Sequence, residues 1–514
     1  MNWRVVFPNN SNSIDELQAA ITAAEIGSIY PKSVQVVDNS LFFMVNEDLE
    51  RKLVVVGALA EKFTGEEEQI ADYQAKVCSL TPENLSAIQE IFPWTKPQAF
   101  GPNGASIGLG DRLGLASPGH IATVRNRAVK PILAQQSIRE LDLTGRDYPQ
   151  VLAAAAWAVF EQGFTTGYGA DGDHLKKPND VQMAIDLGFS MITLDCSEHI
   201  DDTVGSLTDD QVVEKYQALP DKLRSRLETE YLNQSFTLAS GTVIKFTADD
   251  FRRMVVIYHK VLDFAEQIYN DIIQPAGRDV DFEVSIDEVA TPTTPQDHFF
   301  VANELIKRGV KVNSVAPRFC GEFQKGIDYI GDINQFEAEF KVHAEIADHF
   351  GYKVSVHSGS DKFAVFGIVG KYTKGRYHVK TAGTNWLEAV RVIAEVAPDL
   401  YRKMHLFALN NLNEAKKYYH VTFDPNAIPD VTKLADDQLP NLMNQNDARQ
   451  ALHITYGLIL QAKAETGNYL FRDEIYKILL THRDLYSSRL QQHIGKHLDL
   501  LNTKNNNQIK EEFM

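Results

Sequence analysis

Val354-Ser355-Val356-His357-Ser358-Gly359-Ser360-Asp361-Lys362 and, just downstream, Tyr377-His378-Val379-Lys380-Thr381-Ala382-Gly383-Thr384 decide how this chain is read. Each runs from β-branched or aromatic residues into polar, ionisable, glycine-containing sequence, and then into a segment of helical spacing. In a parallel α/β protein that order marks the carboxyl end of a strand, where active sites collect. One stretch delivers His357 and the other His378.

Working outward, strand–loop–helix units repeat. Strands are predicted at Pro131–Gln136, Phe164–Asp173, Ser190–Asp195, Asp281–Glu288 and Val310–Pro317. The eighth is placed at Tyr419–Phe423 rather than His405–Leu409, because Asp399–Tyr419 has helical spacing. Helices are predicted at Val151–Phe160, Asn179–Leu187, Val255–Ile273, Gln296–Lys307, Asn334–His349 and Ala448–Lys463. Eight alternations favour a closed (β/α)₈ TIM-type barrel over an open, doubly wound sheet. A nucleotide-binding open sheet would place Gly-x-Gly-x-x-Gly after its first strand, and none stands there.

The barrel is expected over 130–465, with a polar insertion at about 201–248. Residues 1–97 read as a smaller N-terminal α/β lobe, with strands at Ser33–Val37, Leu41–Val45 and Leu53–Val56. Its helices are predicted at Ile14–Ala24, Thr64–Val77 and Pro82–Ile91. The glycine-rich 98–129 segment reads as a linker or active-site loop, and 466–514 as C-terminal helices with a tail frayed from Asn502.

Composition narrows the function classes. Sixty-nine acidic against fifty-one basic residues leave a net charge of -18, which argues against nucleic acid and anionic membranes as partners. Cys78, Cys196 and Cys320 lie far apart, fit no zinc or disulfide spacing, and suit a reducing cytoplasm. The longest apolar run, Val151–Phe160, is too short to span a bilayer, and Met1-Asn2-Trp3-Arg4 opens no signal peptide. The expectation is a cytoplasmic protein.

Ionisable residues concentrate at the predicted strand ends: Asp171, Asp173 and His174; Asp195, Glu198 and His199; Asp287 and Glu288; His357; His378 with Lys380. Imidazoles and carboxylates converging on one mouth are what Zn²⁺ or a similar divalent ion requires. His174, His357 and His378 are the expected ligands, with Glu288 or Asp173 as further ones, for Zn, Mn, Ni, Co or Fe. His349, His405 and His493 lie in helical segments and read as structural. Alternation puts His357 on one face with Ser355, and His378 with Lys380. His174 needs a turn or bulge to join Asp171 and Asp173. Alternation leaves the choice between Asp287 and Glu288 undecided. Lys362, Lys380, Arg112 and Arg139 are available to an anionic substrate group.

Several of these stretches resemble the tagaturonate epimerase family. They are Gly114-x-x-x-Pro118-Gly119-His120, Gln136-Ser137-Ile138-Arg139-Glu140-Leu141, Asp171-Gly172-Asp173-His174, Ser285-Ile286-Asp287-Glu288, Ala316-Pro317-Arg318-Phe319, Lys325 to Asp332, and the two stretches quoted first. The resemblance covers about residues 100–385, and its last two motifs are the specific ones. It implies a metal-dependent (β/α)₈ isomerase that interconverts D-tagaturonate and D-fructuronate by inverting one hydroxyl-bearing carbon, without NAD. That carbon is β to the ketone, so simple enolisation does not reach it, whereas retro-aldol cleavage and re-addition do. A divalent ion would stabilise the negative charge that develops.

Within that expectation, acid–base work falls to Asp173 and Glu288, on strands at different sides of the mouth, with Asp195 in reserve. Gln136, Ser137, Arg139, Ser358, Asp361, Lys362 and Lys380 are the expected substrate contacts. The expected partner is a small sugar acid, with a homo-oligomer as a possible assembly. Two alternatives remain open: a metal-dependent sugar isomerase or aldolase on the same barrel, and a catalytically inactive sugar-binding barrel.

Overall fold

The fold is described from a computed structural model covering residues 3–7, 13–23 and 27–502. The expected frayed tail beyond Asn502 lies outside the described residues. The N-terminal lobe is a five-stranded antiparallel sheet: β1 (Ile29–Val37), β2 (Ser40–Glu47), β3 (Glu50–Gly57), β4 (Glu66–Ile70) and β5 (Tyr73–Ser79), in the order β1-β2-β3-β5-β4. The helix Ile14–Ala23 packs on it, and Pro82–Ile91 follows it, with Thr81 accepting the Asn84 N–H.

The helix expected over Thr64–Val77 is instead the β4–β5 hairpin. Glu66-Glu67-Glu68 favours a helix locally, but Ala71 turns the chain in the left-handed region, at φ 51°. Val77 and Ala75 then pair with Val54 and Val56 of β3, so sheet pairing overrides propensity.

The barrel strands are β6 (Ser106–Gly108), β7 (Lys130–Gln136), β8 (Gly169–Leu175) and β9 (Met191–Asp195). A small hairpin, β10 (Ser235–Thr237) with β11 (Val243–Lys245), lies in the polar insertion. The barrel resumes with β12 (Asp281–Ile286), β13 (Ser314–Pro317), β14 (Lys353–Val356) and β15 (Tyr377–Lys380). All eight barrel strands run parallel, and β15 closes on β6 through His378–Ser106, Val379–Ile107 and Lys380–Gly108.

This closure keeps eight strands but corrects which segments are the first and the last. The first strand is Ser106–Gly108, inside the segment read as a linker. His405 belongs to the helix Pro398–Asn410, and Tyr419–Phe423 forms no strand. Three residues are too few to show alternation, so only pairing reveals β6. A Cβ at Gly108 would meet the Gln135 side-chain amide, so the glycine leaves room for that side chain inside the barrel.

Strand alternation explains where the core sits. Along β12, Phe282, Val284 and Ile286 are buried among the helices of the surrounding ring. The other face carries Asp281, Glu283 and Ser285, then Asp287, toward the barrel axis. The interior is therefore a column of polar side chains inside an apolar shell. Among the described residues no helix is long and apolar enough to cross a membrane.

Candidate active site

A cavity of about 400 Å³ opens at the carboxyl end of the strands. Its floor is built from β8, β12, β14 and β15. Beyond Asp173, β8 slips register against β9 between Gly172 and Leu175, and His174 adopts φ 54°. That left-handed residue swings the imidazole back over the mouth, at some conformational cost. His174 Nδ1 lies 2.8 Å from Asp173 Oδ1, and its Nε2 lies 3.9 Å from Asp287 Oδ1. His357 follows β14, with Nδ1 3.1 Å from Asp287 Oδ1 and Nε2 2.7 Å from Glu283 Oε1. The two imidazole rings are 4.7 Å apart.

Beneath them sits Lys380. Its ammonium donates to Asp171 Oδ2 at 2.9 Å and Asp173 Oδ1 at 2.6 Å, also to Thr193 Oγ1, and lies 3.1 Å from Glu283 Oε1. Burial works against the charged lysine, but the three carboxylates outweigh it and raise its pKa well above normal. Glu283 is held well below the usual carboxylate range against its burial, chiefly by Lys380 and His357. Burial also opposes a charged His174, yet Asp173, and then Glu288, push its pKa up to about 10. His357 is raised as well, its burial outweighed by Asp287 and Glu283.

The site thus holds four carboxylates (Asp171, Asp173, Glu283 and Asp287) and one lysine. Their excess negative charge draws either protons onto the imidazoles or a cation between them. His174, Asp287 and His357 each offer a ligand atom, all within 4.8 Å of one another. Two imidazoles and a carboxylate fit a divalent transition metal. Asp173 and Glu283 already hold the remaining ring nitrogens, as orienting partners of metal-bound histidines do.

His378 does not join this group; Asp287 stands where it was expected. His378 is two residues below Lys380 on β15, in register with Ser106 and Ser355, so it points inward one layer deeper. Its Nδ1 lies 3.0 Å from Ser106 Oγ, and burial, against the opposing pull of Glu283, lowers its pKa to about 3. Asp287 was legible after all. Phe282, Val284 and Ile286 must face the helices, which puts Asp287 on the inner face with Glu283.

Of the other expected residues, Asp173, Glu288, Ser137, Arg139, Ser358 and Lys380 line the cavity. Ser137 also caps the helix Ile138–Thr144, accepting the Glu140 N–H. Glu288 is exposed at the rim, 3.8 Å from Lys176. Gln136, Asp361, Lys362 and Asp195 are not on the cavity wall. Lys362 is fully buried and donates to the carbonyls of Gln324, Ile327 and Ser360 at 2.6–2.9 Å. Asp361 pairs with Arg449 at 2.7 Å and His493 at 2.5 Å, tying the loop after β14 to the C-terminal helix Arg483–Leu500. These two residues brace the loop that carries His357. Sequence reasoning missed the cavity roles of Lys325 and Tyr419, whose long irregular segments carry no periodic signal.

The model of the tagaturonate epimerase family matches residues 30–501. The chain belongs to that family. A tagaturonate/fructuronate epimerase of Thermotoga maritima is 39% identical over 476 residues, covering 92% of this chain and 96% of the relative. A glycerol-complexed crystal structure of the fructuronate–tagaturonate epimerase of Cohnella laeviribosi superposes with a TM-score of 0.91 at 55% identity, covering 93% of this chain and 96% of that one. The native crystal structure of the same enzyme gives 0.91 at 53%, covering 95% and 99%. This member of the family is an epimerase, an isomerase built on a (β/α)₈ barrel, and the cavity at the strand ends is its candidate active site.

Proposed function

We propose that the epimerase interconverts D-tagaturonate and D-fructuronate by breaking and re-forming the bond between the carbons α and β to the ketone. The substrate pair follows the names of its relatives. The observation that carries the chemistry is the convergence of His174, Asp287 and His357 in the cavity beside the carboxylates of Asp173 and Glu288. Those three residues would hold a divalent ion, which supplies Lewis-acid polarisation of the ketone and its neighbouring hydroxyl.

The chain's own groups handle the protons. Asp173 is held well below the usual carboxylate range, its burial outweighed by Lys380 and His174, so it stays an acceptor. It takes the proton from the hydroxyl on the carbon to be inverted. The α–β bond then breaks, its electron pair moves to the ketone side, and the β carbon becomes an aldehyde. After the aldehyde presents its other face, the bond re-forms and Glu288, having taken a proton from solvent at the exposed rim, gives it to the new alkoxide, while Asp173 releases its proton to solvent. Asp173 and Glu288 come from β8 and from the loop after β12, on different parts of the rim, as inversion requires. Lys380 keeps the carboxylates below in place and ionised.

The test is turnover of D-tagaturonate in D₂O, with and without chelator, followed by NMR. Retro-aldol chemistry keeps the original hydrogen on the inverted carbon, whereas direct deprotonation would place deuterium there. Activity should vanish with chelator and return with added Zn²⁺, Mn²⁺, Ni²⁺ or Co²⁺. Activity that persists in a metal-free, fully chelated protein would remove the metal from the reading.

A further inference from the structure

Most basic groups on the cavity wall are already engaged. Lys380 sits among three carboxylates, Arg112 pairs with Glu140 at 2.7 Å, and Arg318 donates to the Val289 carbonyl. Two cations differ. Lys325 is half-buried and donates to Ser358 Oγ at 2.9 Å, but makes no ion pair among the described residues. Arg139 lies 5.3 Å over the Tyr419 ring and makes no hydrogen bond or ion pair among the described residues. Both face the same cavity as the His174–Asp287–His357 group.

Of the two, Lys325 is the one whose charge lacks compensation, whereas Arg139 stands exposed at the cavity rim. The chain carries 69 acidic residues against 51 basic ones, so acidic partners are abundant, and yet these two cations have none. Burial and the nearby Arg139 charge both act against the Lys325 ammonium, with Glu140 and Glu288 only partly compensating. An incoming anion relieves both. The chemistry also matches: a planar guanidinium offers parallel N–H groups to a planar carboxylate, and a lysine adds a point charge. Through Ser358, Lys325 is fixed to the residue that follows His357, so the distance between this cationic pair and the metal-type group is set by one short loop.

We infer that Lys325 and Arg139, braced by Ser358 and Tyr419, form the subsite for the substrate's carboxylate and set a preference for sugar acids over neutral ketohexoses. This rests on the proposed function, in that the ketone end is taken to occupy the His174–Asp287–His357 group. It also separates these two cations from Lys362 and Lys380, whose ammonium groups are already satisfied within the protein.

The experiment compares D-tagaturonate with D-tagatose, in which a CH₂OH group replaces the carboxylate. Wild type, Lys325→Met, Arg139→Met and Lys325→Arg are assayed for kcat/KM on each sugar and for D-tagaturonate binding by calorimetry. Metal content and melting temperature are recorded alongside. Either Met variant should lose roughly 10- to 150-fold in kcat/KM for the uronate, mostly through KM, the size of a lost charge-assisted hydrogen bond. D-tagatose turnover should change by less than about threefold, so the preference for the uronate shrinks. Lys325→Arg should recover most of the uronate affinity with unchanged metal content. Equal losses on both sugars, or uronate binding in the Met variants as tight as in wild type, would overturn the subsite. If wild type binds D-tagaturonate in a Lys325-dependent way without turning it over, the subsite stands and the epimerisation reading falls. If wild type neither binds nor converts it, both fall.

Discussion

At the mouth of the barrel, His357 lies between Asp287 and Glu283, 3.1 and 2.7 Å away, and opens onto a cavity of about 400 Å³. At the base, His378 shares Ser106 with Lys353, whose ammonium donates to the same hydroxyl at 3.1 Å. The space beside it is about 10 Å³, at the lower limit for a single water. Both imidazoles end up buried on the inner face of adjacent strands. One is drawn toward the charged state by carboxylates, and the other is kept neutral by burial. Negative charge around a buried histidine is what would suit it to a cation, and burial alone would not.

The largest expected effect comes from breaking the mouth and leaving the base alone. His357→Ala or Asp287→Ala should abolish measurable turnover and strip bound divalent metal, as read by elemental analysis of the purified protein. His378→Gln should keep its metal stoichiometry. A His378 variant that lost metal while His357→Ala kept it would reverse the comparison.

Next come the carboxylates beside the proposed ion. Asp173→Asn and Glu288→Gln preserve shape and remove the proton function, and kcat should fall roughly 10²–10⁴-fold with metal retained. Near-wild-type kcat in either variant would take that residue out of the proton path. A loss of metal in Asp173→Asn would show that orienting His174 is its main work.

Lys362 sharpens the contrast between touching substrate and holding the loop. Burial lowers its pKa to about 7, with Asp361 opposing, and three carbonyls accept its hydrogen bonds. Lys362→Met should cost about 2–4 kcal/mol of stability by leaving those carbonyls unpaired. Urea unfolding measures this directly. A variant with unchanged stability and a selectively raised KM would return Lys362 to the substrate contacts.

The effect that is absent at neutral pH concerns titration. The folded pKa of His378, about 3, lies below the ordinary value of 6.5, so between these limits the unfolded chain binds the extra proton. Its contribution to stability is complete above pH 6.5 and is lost as pH falls toward 3, at up to about 1.4 kcal/mol per pH unit. His378→Gln should flatten the acid limb of the unfolding free energy by that slope. Parallel curves for the two proteins would mean that His378 is solvated in the folded state.

Much of this protein could be read from the chain alone. Seven barrel strands, the helices between them, and His174, His357, Asp173, Glu288 and Lys380 as mouth residues all follow from local pattern. Buried parallel strands are short apolar runs, and chemistry collects where they end. Three features were decided only by the folded molecule. Ser106–Gly108 is too short to carry a period, so it becomes a strand only because β7 and β15 leave an edge that it closes. The Glu66–Ser79 hairpin contradicts its own helix propensity, because pairing with β3 outweighs it. The split between His357 and His378 depends on depth along the barrel axis. Strand alternation records which face a side chain takes, but which layer it occupies depends on the register among eight strands, and that exists only once the barrel has closed.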